Sequence, residues 1–335
     1  MNEIEQIKEL LKLPKDVVIL THRNPDGDAL GSSLALKLFL EDQSHSVKVI
    51  LPSEYPRIFH FLPGIKSCVV YDLNQEYALA EIEKAEVIFC LDFNGLDRID
   101  KMGVKVQESN ARKILIDHHL DPEPFADYQF SDTKASSTCE LIYDFIENLS
   151  QREKINTDIG ECILTGIITD TGSFKYSTNP RAYQIASQLK EIGVDDYQLN
   201  DKIYNTMTEK QLRLLGHCLA NRLELIPEYS TGIISLTKED YHKFQIGRGD
   251  TEGIVNHILM IDGIKAAAFI REQPTIVKMS FRSKGDISVA DIARNHFNGG
   301  GHKNAAGGAA YASLSDIIAR FKKELPNYID KIKTV

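Results

Sequence analysis

The segment Thr21-His22-Arg23-Asn24-Pro25-Asp26-Gly27-Asp28 places one imidazole and two carboxylates in a turn whose Pro and Gly fix the backbone. All three can therefore converge on one small volume. Later segments carry the same residue types: Asp92 follows one apolar run and Asp117-His118-His119 follows another. Asp170, with Thr171-Gly172-Ser173-Phe174 behind it, closes the apolar helical run 162–169. A lone Asp at a strand end is usually a helix cap, and a lone His is usually a satisfied surface or core residue. Several of them at one sheet edge would repel one another at a cost that divalent cations remove. The joint pattern points to a metal site. Imidazole and carboxylate donors without thiolate, more than one ion needs, fit a pair of borderline-hard ions. Mn²⁺ is the first choice, with Mg²⁺, Co²⁺ or Fe²⁺ as alternatives. Two ions roughly 3.5–4 Å apart activate water near neutral pH and clamp a phosphate in line, so phosphoester hydrolysis is the expected chemistry.

The elements that must position these residues alternate in the first half of the chain. Continuous Val/Ile/Leu/Phe runs at 17–21, 47–51, 87–91 and 113–116 predict strands of a parallel sheet covered on both faces. Helical periodicity begins near Leu30 and recurs at 136–149, 158–169, 181–192 and 211–223. An open α/β sheet places its site at the C-terminal ends of its strands. The pattern changes after Leu223, with strands expected at 231–236, 266–271 and 275–282 and helices at 251–260, 289–296 and 314–328. A Gly-rich loop is expected at 298–308. The predicted division is a catalytic domain at 1–205, a helical connector at 206–222 and a smaller α/β substrate domain at 223–335.

The chain's 335 residues suit two domains, and 42% hydrophobic with 26% charged residues is an ordinary globular balance. No apolar stretch approaches the roughly 20 residues that span a bilayer. Residues 1–12 read as a charged amphipathic helix without a signal-peptide core. Cys68, Cys90, Cys139, Cys162 and Cys218 form no CxxC pair, which argues against a disulfide framework and a thiolate zinc module and fits the cytoplasm. They read as small buried hydrophobes. The six histidines outside these segments, His45, His60, His217, His242, His257 and His296, read as structural. A net charge of -9 argues against non-specific coating of duplex nucleic acid. The charge is uneven. From Arg222 onward there are 16 Lys+Arg against 13 Asp+Glu, and before it 23 against 35. Such asymmetry suits cations in the first part and an anionic substrate in the second, although solvated helix faces account for it equally.

Taken together, these segments resemble the DHH phosphoesterase family. His22-Arg23-Asn24-Pro25-Asp26-Gly27-Asp28-Ala29 with Gly31-Ser32 is similar to its first motif, Asp92 to its second, Asp117-His118-His119 to the motif that names it, and 169–174 to its fourth. Phe281-Arg282-Ser283 and the glycine-rich run 299–308 resemble the DHH-associated C-terminal domain. After Asp92 the chain has Phe93-Asn94 where relatives often carry small or hydroxyl residues. Leu120-Asp121-Pro122 follows the Asp-His-His segment where an Asn often appears. The compact arrangement is most similar to the stand-alone nanoRNase/pAp phosphatase group. That resemblance implies hydrolysis of very short single-stranded RNA to nucleoside monophosphates and dephosphorylation of 3'-phosphoadenosine 5'-phosphate.

The resemblance also implies residue roles. His22 and Asp26 would hold the first ion, Asp28, His118 and Asp170 the second, and Asp92 would bridge them. His119 would touch the scissile phosphate and help protonate the leaving oxygen, with Asp117 orienting an imidazole or merely capping the strand end. Asn24 is a phosphate contact or a turn former. Consecutive glycines bring backbone N–H groups close to an anion. Gly300 and Gly301, with His302 and Lys303, are therefore candidate substrate residues, as are Arg282, through a bidentate phosphate contact, and Ser283. Tyr311 fits strand packing, with base stacking as the alternative. A cleft gripping both substrate ends would admit only short chains. Other readings are a linear or cyclic di-AMP phosphodiesterase, an exopolyphosphatase or pyrophosphatase, and a non-catalytic nucleotide sensor that would have lost metal acids. No membrane partner is expected, and a homodimer is compatible with the sequence.

Overall fold

A computed structural model describes residues 3–247 and 249–330. It divides into two units at Thr206/Met207.

In the first unit six parallel strands run in the order β3-β2-β1-β4-β5-β6. They are β1 Asp16–Thr21, β2 Ser46–Leu51, β3 Val69–Val70, β4 Val87–Leu91, β5 Arg112–Asp117 and β6 Tyr128–Ser131. The unbroken apolar runs behave as continuous runs must in a doubly covered sheet. Val17 and Ile19 of β1 enter one core, whereas Val18 and Leu20 enter the other. The first core is capped by α2 (Gly27–Glu41), α5 (Thr138–Asn148) and α6 (Thr157–Asp170). The second is capped by α3 (Gln75–Lys84) and α4 (Met102–Glu108). The remaining helices of this unit are α1 (Glu3–Leu10), α7 (Pro180–Glu191) and α8 (Asp196–Tyr204). Strand order reverses direction between β1 and β4, so the loops leaving these strands part and open a crevice at the carboxyl edge.

Helix α2 begins three residues before the Leu30 expected from periodicity. The reason is local: the Asp26 side chain accepts from the N–H groups of Asp28 (3.0 Å) and Ala29 (3.1 Å), capping two orphan donors of the first turn. Strands β3 and β6 were not anticipated. Two residues carry no periodicity, and Tyr-Gln-Phe-Ser is too short and too polar to read as a buried run.

The second unit contains six strands in the order β11-β12-β10-β9-β8-β7, antiparallel except for the β8–β9 pair. These are β7 Leu223–Ile226, β8 Thr231–Leu236, β9 Ala266–Glu272, β10 Val277–Ser283, β11 Gly300–His302 and β12 Ala305–Ala310. One face is covered by α12 (Val289–His296) and α13 (Leu314–Glu324). The β8–β9 part of the other is covered by α9 (Glu209–Asn221) and α11 (Ile254–Ile258), and α10 (Lys238–Lys243) follows β8. Helix α9, read from the sequence as a connector, buries Leu214 and Cys218 in the core of this unit.

The glycine-rich segment departs from the expected loop. It forms the β11–β12 hairpin, not a loop, because its glycines permit backbone contacts that a side chain would block. A Cβ on Gly299 would lie 1.9 Å from the Gly307 carbonyl oxygen, and one on Gly301 2.5 Å from that of Ala305. Tyr311 packs on no strand and is 87% exposed. No helix among the described residues is long and apolar enough to cross a membrane.

Candidate metal centre

The loop after β1 delivers His22 and Asp26, the loop after β4 delivers Asp92, and the loop after β5 delivers His118 and His119. The two packed helices α2 and α6 add Asp28 and Asp170. These side chains form three overlapping groups whose ligand atoms lie within 4.8 Å of one another: His22, Asp26 and Asp92; Asp28, His118 and Asp170; and Asp92, His118 and His119. Asp92 belongs to two of them. Its Oδ2 lies 3.4 Å from His22 Nε2, and its Oδ1 lies 3.6 Å from His118 Nε2. His118 Nε2 is also 3.3 Å from Asp170 Oδ2 and 3.9 Å from Asp28 Oδ2.

Each group is aimed by a neighbour. His22 Nδ1 donates to the Arg23 carbonyl (2.9 Å), which leaves Nε2 for the site. Arg23 is itself fixed: its N–H donates to the Arg98 carbonyl (2.9 Å), and its guanidinium pairs with Asp72 (2.7 Å) and Asp100. Both oxygens of Asp28 accept from the first turn of α5, from the N–H of Thr138 (2.6 Å) and of Cys139 (2.8 Å). Orphan donors and the positive end of a helix thus hold a fully buried carboxylate. The Thr138 hydroxyl donates to Asp92 Oδ1 at 3.0 Å. His119 Nδ1 lies 2.7 Å from the buried Asp117 carboxylate, which leaves Nε2 available. Asp92 has φ 62°, a left-handed strain for a non-glycine residue held where a site requires it.

Close helix packing brings the second group together. Where α2 meets α6, a Cβ on Gly166 would lie 2.2 Å from Cys139 Sγ and 2.6 Å from Asp28 Oδ1. Gly166→Ala is expected to lower stability by about 1–3 kcal/mol through overpacking and to weaken metal binding at Asp28. Calorimetric melting and Mn²⁺ titration check both, and an unchanged metal affinity would remove Gly166 from this role.

Protein groups alone leave these acids poorly compensated. Burial pushes the Asp92 carboxyl well above the ordinary carboxylate range, and Asp28, Asp26 and Asp117 add to the rise. Burial also raises Asp28, with Asp26 adding to the rise and His118 and the α5 N–H groups opposing it. Asp170 is pushed up to about 10, first by burial and then by Asp28, Asp92 and Asp26. Crowded buried acids beside imidazoles are a donor set that cation charge stabilises and whose protons a cation displaces. The residues fit a pair of divalent ions.

The glycine-rich hairpin and β10 carry the other candidate residues. Arg282 is half-buried, donates to the Phe281 carbonyl (2.9 Å) and has no carboxylate partner among the described residues. Burial lowers the pKa of its guanidinium. Ser283, expected at the substrate, is buried. Its hydroxyl donates to the Ile287 carbonyl (2.7 Å) and accepts from Asn304 (2.9 Å), closing the turn after β10. Lys303 pairs with Asp286 at 2.9 Å. The Gly300 and Gly301 backbone lies in β11, and the side chain of His302 lies outside the described residues. Asn24 has φ 55°, and its N–H donates to the Ser53 hydroxyl (2.9 Å).

A family model described as the DHH family, N-terminal domain, matches residues 16–167, and one for the DHHA1 domain matches residues 233–331. The chain belongs to the DHH family. Its relatives include a Bacillus subtilis protein named bifunctional oligoribonuclease and PAP phosphatase NrnA, 29% identical over 90% of this chain and 91% of that protein. A Listeria monocytogenes protein named cyclic-di-AMP phosphodiesterase PdeA is 24% identical over 97% of this chain but only 49% of its own length. The crystal structure of an exopolyphosphatase-related protein from Bacteroides fragilis superposes with a TM-score of 0.93 at 42% identity, covering 97% of this chain and 96% of that one.

Within the DHH domain the sequence reading missed Thr138, Asp72, Asp100 and Gly166. Ser137 through Glu140 does carry the S-x-x-E signature of a helix start, and Ser137 caps α5. That signature announces a helix N-terminus but not the carboxylate it faces.

Proposed function

We propose that this DHH protein is a two-metal phosphoesterase that cuts very short RNA to nucleoside monophosphates and removes a phosphate from 3'-phosphoadenosine 5'-phosphate. The observation that carries the reading is the place of Asp92, whose Oδ2 lies 3.4 Å from His22 Nε2 and whose Oδ1 lies 3.6 Å from His118 Nε2, as suits a ligand shared by adjacent ions. His22, Asp26 and Asp92 would hold one ion, and Asp92, Asp28, His118 and Asp170 the other. The thiolate-free donor set favours Mn²⁺. Such a pair supplies activation of water and neutralisation of phosphoryl charge.

The protein's own groups supply the rest. Water adds to phosphorus, the ester P–O bond breaks, and the departing oxygen takes a proton from His119 Nε2. Asp117 holds the ring through Nδ1 and leaves Nε2 facing away from that bond. Arg282, a guanidinium with no acid partner among the described residues, would bind a phosphate group. The names of the Bacillus subtilis and Listeria monocytogenes relatives favour nucleotide substrates, and the latter supports cyclic di-AMP hydrolysis as the second reading.

The test is a hydrolysis panel of RNA dinucleotide, 3'-phosphoadenosine 5'-phosphate, cyclic di-AMP and pyrophosphate with Mn²⁺, with and without chelator. The proposal expects the first two to be cleaved fastest and chelator to stop both. Fastest cleavage of cyclic di-AMP or pyrophosphate would replace it, and tight binding without turnover would indicate a sensor. Arg282→Ala should cut kcat/KM for dinucleotide by about tenfold to a hundredfold, as the loss of a charged hydrogen bond does. A generic aryl phosphodiester should be little affected, and equal losses on both would place Arg282 in the fold or at the metals.

A further inference from the structure

Thr138 opens the first turn of α5 directly after its cap Ser137, so its N–H is one of the orphan donors at the helix start. That N–H donates to Asp28 Oδ2 at 2.6 Å, while the Thr138 hydroxyl donates to Asp92 Oδ1 at 3.0 Å. One residue thereby grips acids from two separate elements, α2 and the loop after β4. A Thr deeper in a helix can turn its hydroxyl back onto a carbonyl one turn earlier. At the first helical position no such turn precedes it, and branching at Cβ limits χ1, so the hydroxyl points across to Asp92.

The frame behind Thr138 is hydrogen-bonded throughout. The Ser137 hydroxyl accepts from the Glu140 N–H (3.1 Å). Buried Glu140 in turn accepts from the N–H (3.0 Å) and hydroxyl (2.6 Å) of Ser136 and from Asn179 (2.9 Å), the cap of α7. On the facing side the backbone of Asp92 is fixed, with φ at 62° and its N–H donating to the Ile116 carbonyl at 3.2 Å. Rotation of the carboxylate is what remains free, a broad torsion with little preference of its own. Among the described residues no other hydroxyl or amide donates to that carboxylate. Thr138 and Asp28 are fully buried and Asp92 is 2% exposed, so water cannot stand in for a missing hydroxyl.

We infer that Thr138 is a positioning residue that couples the two proposed ion groups. Its hydroxyl sets the rotation of the Asp92 carboxylate so that Oδ2 faces His22 (3.4 Å) and Oδ1 faces His118 (3.6 Å), while its N–H fixes Asp28. This deepens the two-metal reading and rests on it. Without the hydroxyl the carboxylate turns to serve one group at the expense of the other. One ion then stays bound and the second is weakened, although no ligand has been removed. Asp28 keeps its place, because both of its bonds to α5 come from backbone N–H groups.

The test uses the full chain with Thr138→Val, which keeps the branched shape and removes the donor, and Thr138→Ser, which restores the donor. Chelator-treated protein is dialysed to equilibrium against Mn²⁺, melted in chelator, and assayed on RNA dinucleotide over a range of Mn²⁺. Thr138→Val should weaken the second ion by about tenfold to a hundredfold, the usual cost of losing a group that orients a ligand, and the first by less than about threefold. Its melting temperature in chelator should fall by no more than about 4 °C, the scale of one hydrogen bond in a domain of this size. Turnover should return when Mn²⁺ is raised by the same factor, and Thr138→Ser should regain most of the affinity. An unchanged isotherm, equal weakening of both ions, turnover that no Mn²⁺ concentration restores, or a Ser variant as defective as Val overturns the assignment. Wild-type protein that takes up a single ion overturns both this and the two-metal reading. Two ions, the second sensitive to Thr138, without cleavage of dinucleotide or 3'-phosphoadenosine 5'-phosphate would keep Thr138 in its role and overturn the proposed substrates instead.

Discussion

Asp92→Asn abolishes phosphoester hydrolysis and, in protein stripped of divalent ions, raises the melting temperature at alkaline pH. Asp92 approaches His22 of one proposed ion group through Oδ2 (3.4 Å) and His118 of the other through Oδ1 (3.6 Å), so its loss affects both ions at once. A fall of at least about a thousandfold, equivalent to about 4 kcal/mol of barrier, is expected. The gain in stability follows from the same crowding. Burial and mutual repulsion raise Asp92, Asp28 and Asp170 above their ordinary values, Asp170 to about 10. The folded protein therefore holds protons there that the unfolded chain, with ordinary carboxyls, has released. Where the unfolded state binds fewer protons, stability falls as pH rises. The metal-free protein should thus be most stable below about pH 4 with respect to these groups and lose that contribution progressively up to about pH 10. The isosteric amide keeps the Thr138 bond, removes one acid and flattens the decline. Calorimetry in chelator from pH 5 to 9 measures it. A wild-type curve that does not fall, or a variant that melts lower throughout, would contradict the argument, and wild-type turnover by Asp92→Asn would remove the residue from the centre.

His119→Asn leaves metal binding in place and cuts hydrolysis of RNA dinucleotide by about 10²–10⁴, the usual contribution of a positioned proton donor. Its Nδ1 is held by Asp117 at 2.7 Å, which fixes the ring and leaves Nε2 as the proton-donating atom. The deficit should shrink on a nitrophenyl ester, whose leaving oxygen departs without protonation. Asp117→Asn should reproduce the pattern in milder form, about tenfold to a hundredfold, through misorientation of the ring. Equal losses on good and poor leaving groups would make His119 a phosphate contact and not an acid, and loss of bound Mn²⁺ would make it a ligand.

Much of the first sheet could be read from the chain because β1, β4 and β5 are buried on both faces and their apolar runs are therefore continuous. Ligand-type residues immediately after such runs must fall at the carboxyl edge, and His22, Asp92 and His118 do. Long-range hydrogen bonding was not legible. The Thr138 N–H that holds Asp28 lies 110 positions away, and nothing in either local pattern couples them. The β11–β12 hairpin was hidden for the opposite reason. Glycine composition signals a turn, yet here the missing side chains let strands approach closely.

The most direct test of the metal centre is a titration of the chelator-treated protein with Mn²⁺, followed by equilibrium dialysis and electron paramagnetic resonance. Two ions per chain, with the exchange-coupled spectrum of neighbours about 3.5–4 Å apart and loss of the coupling in Asp92→Asn, is the result the account predicts. One ion per chain, or two with the spectrum of isolated ions, would contradict it.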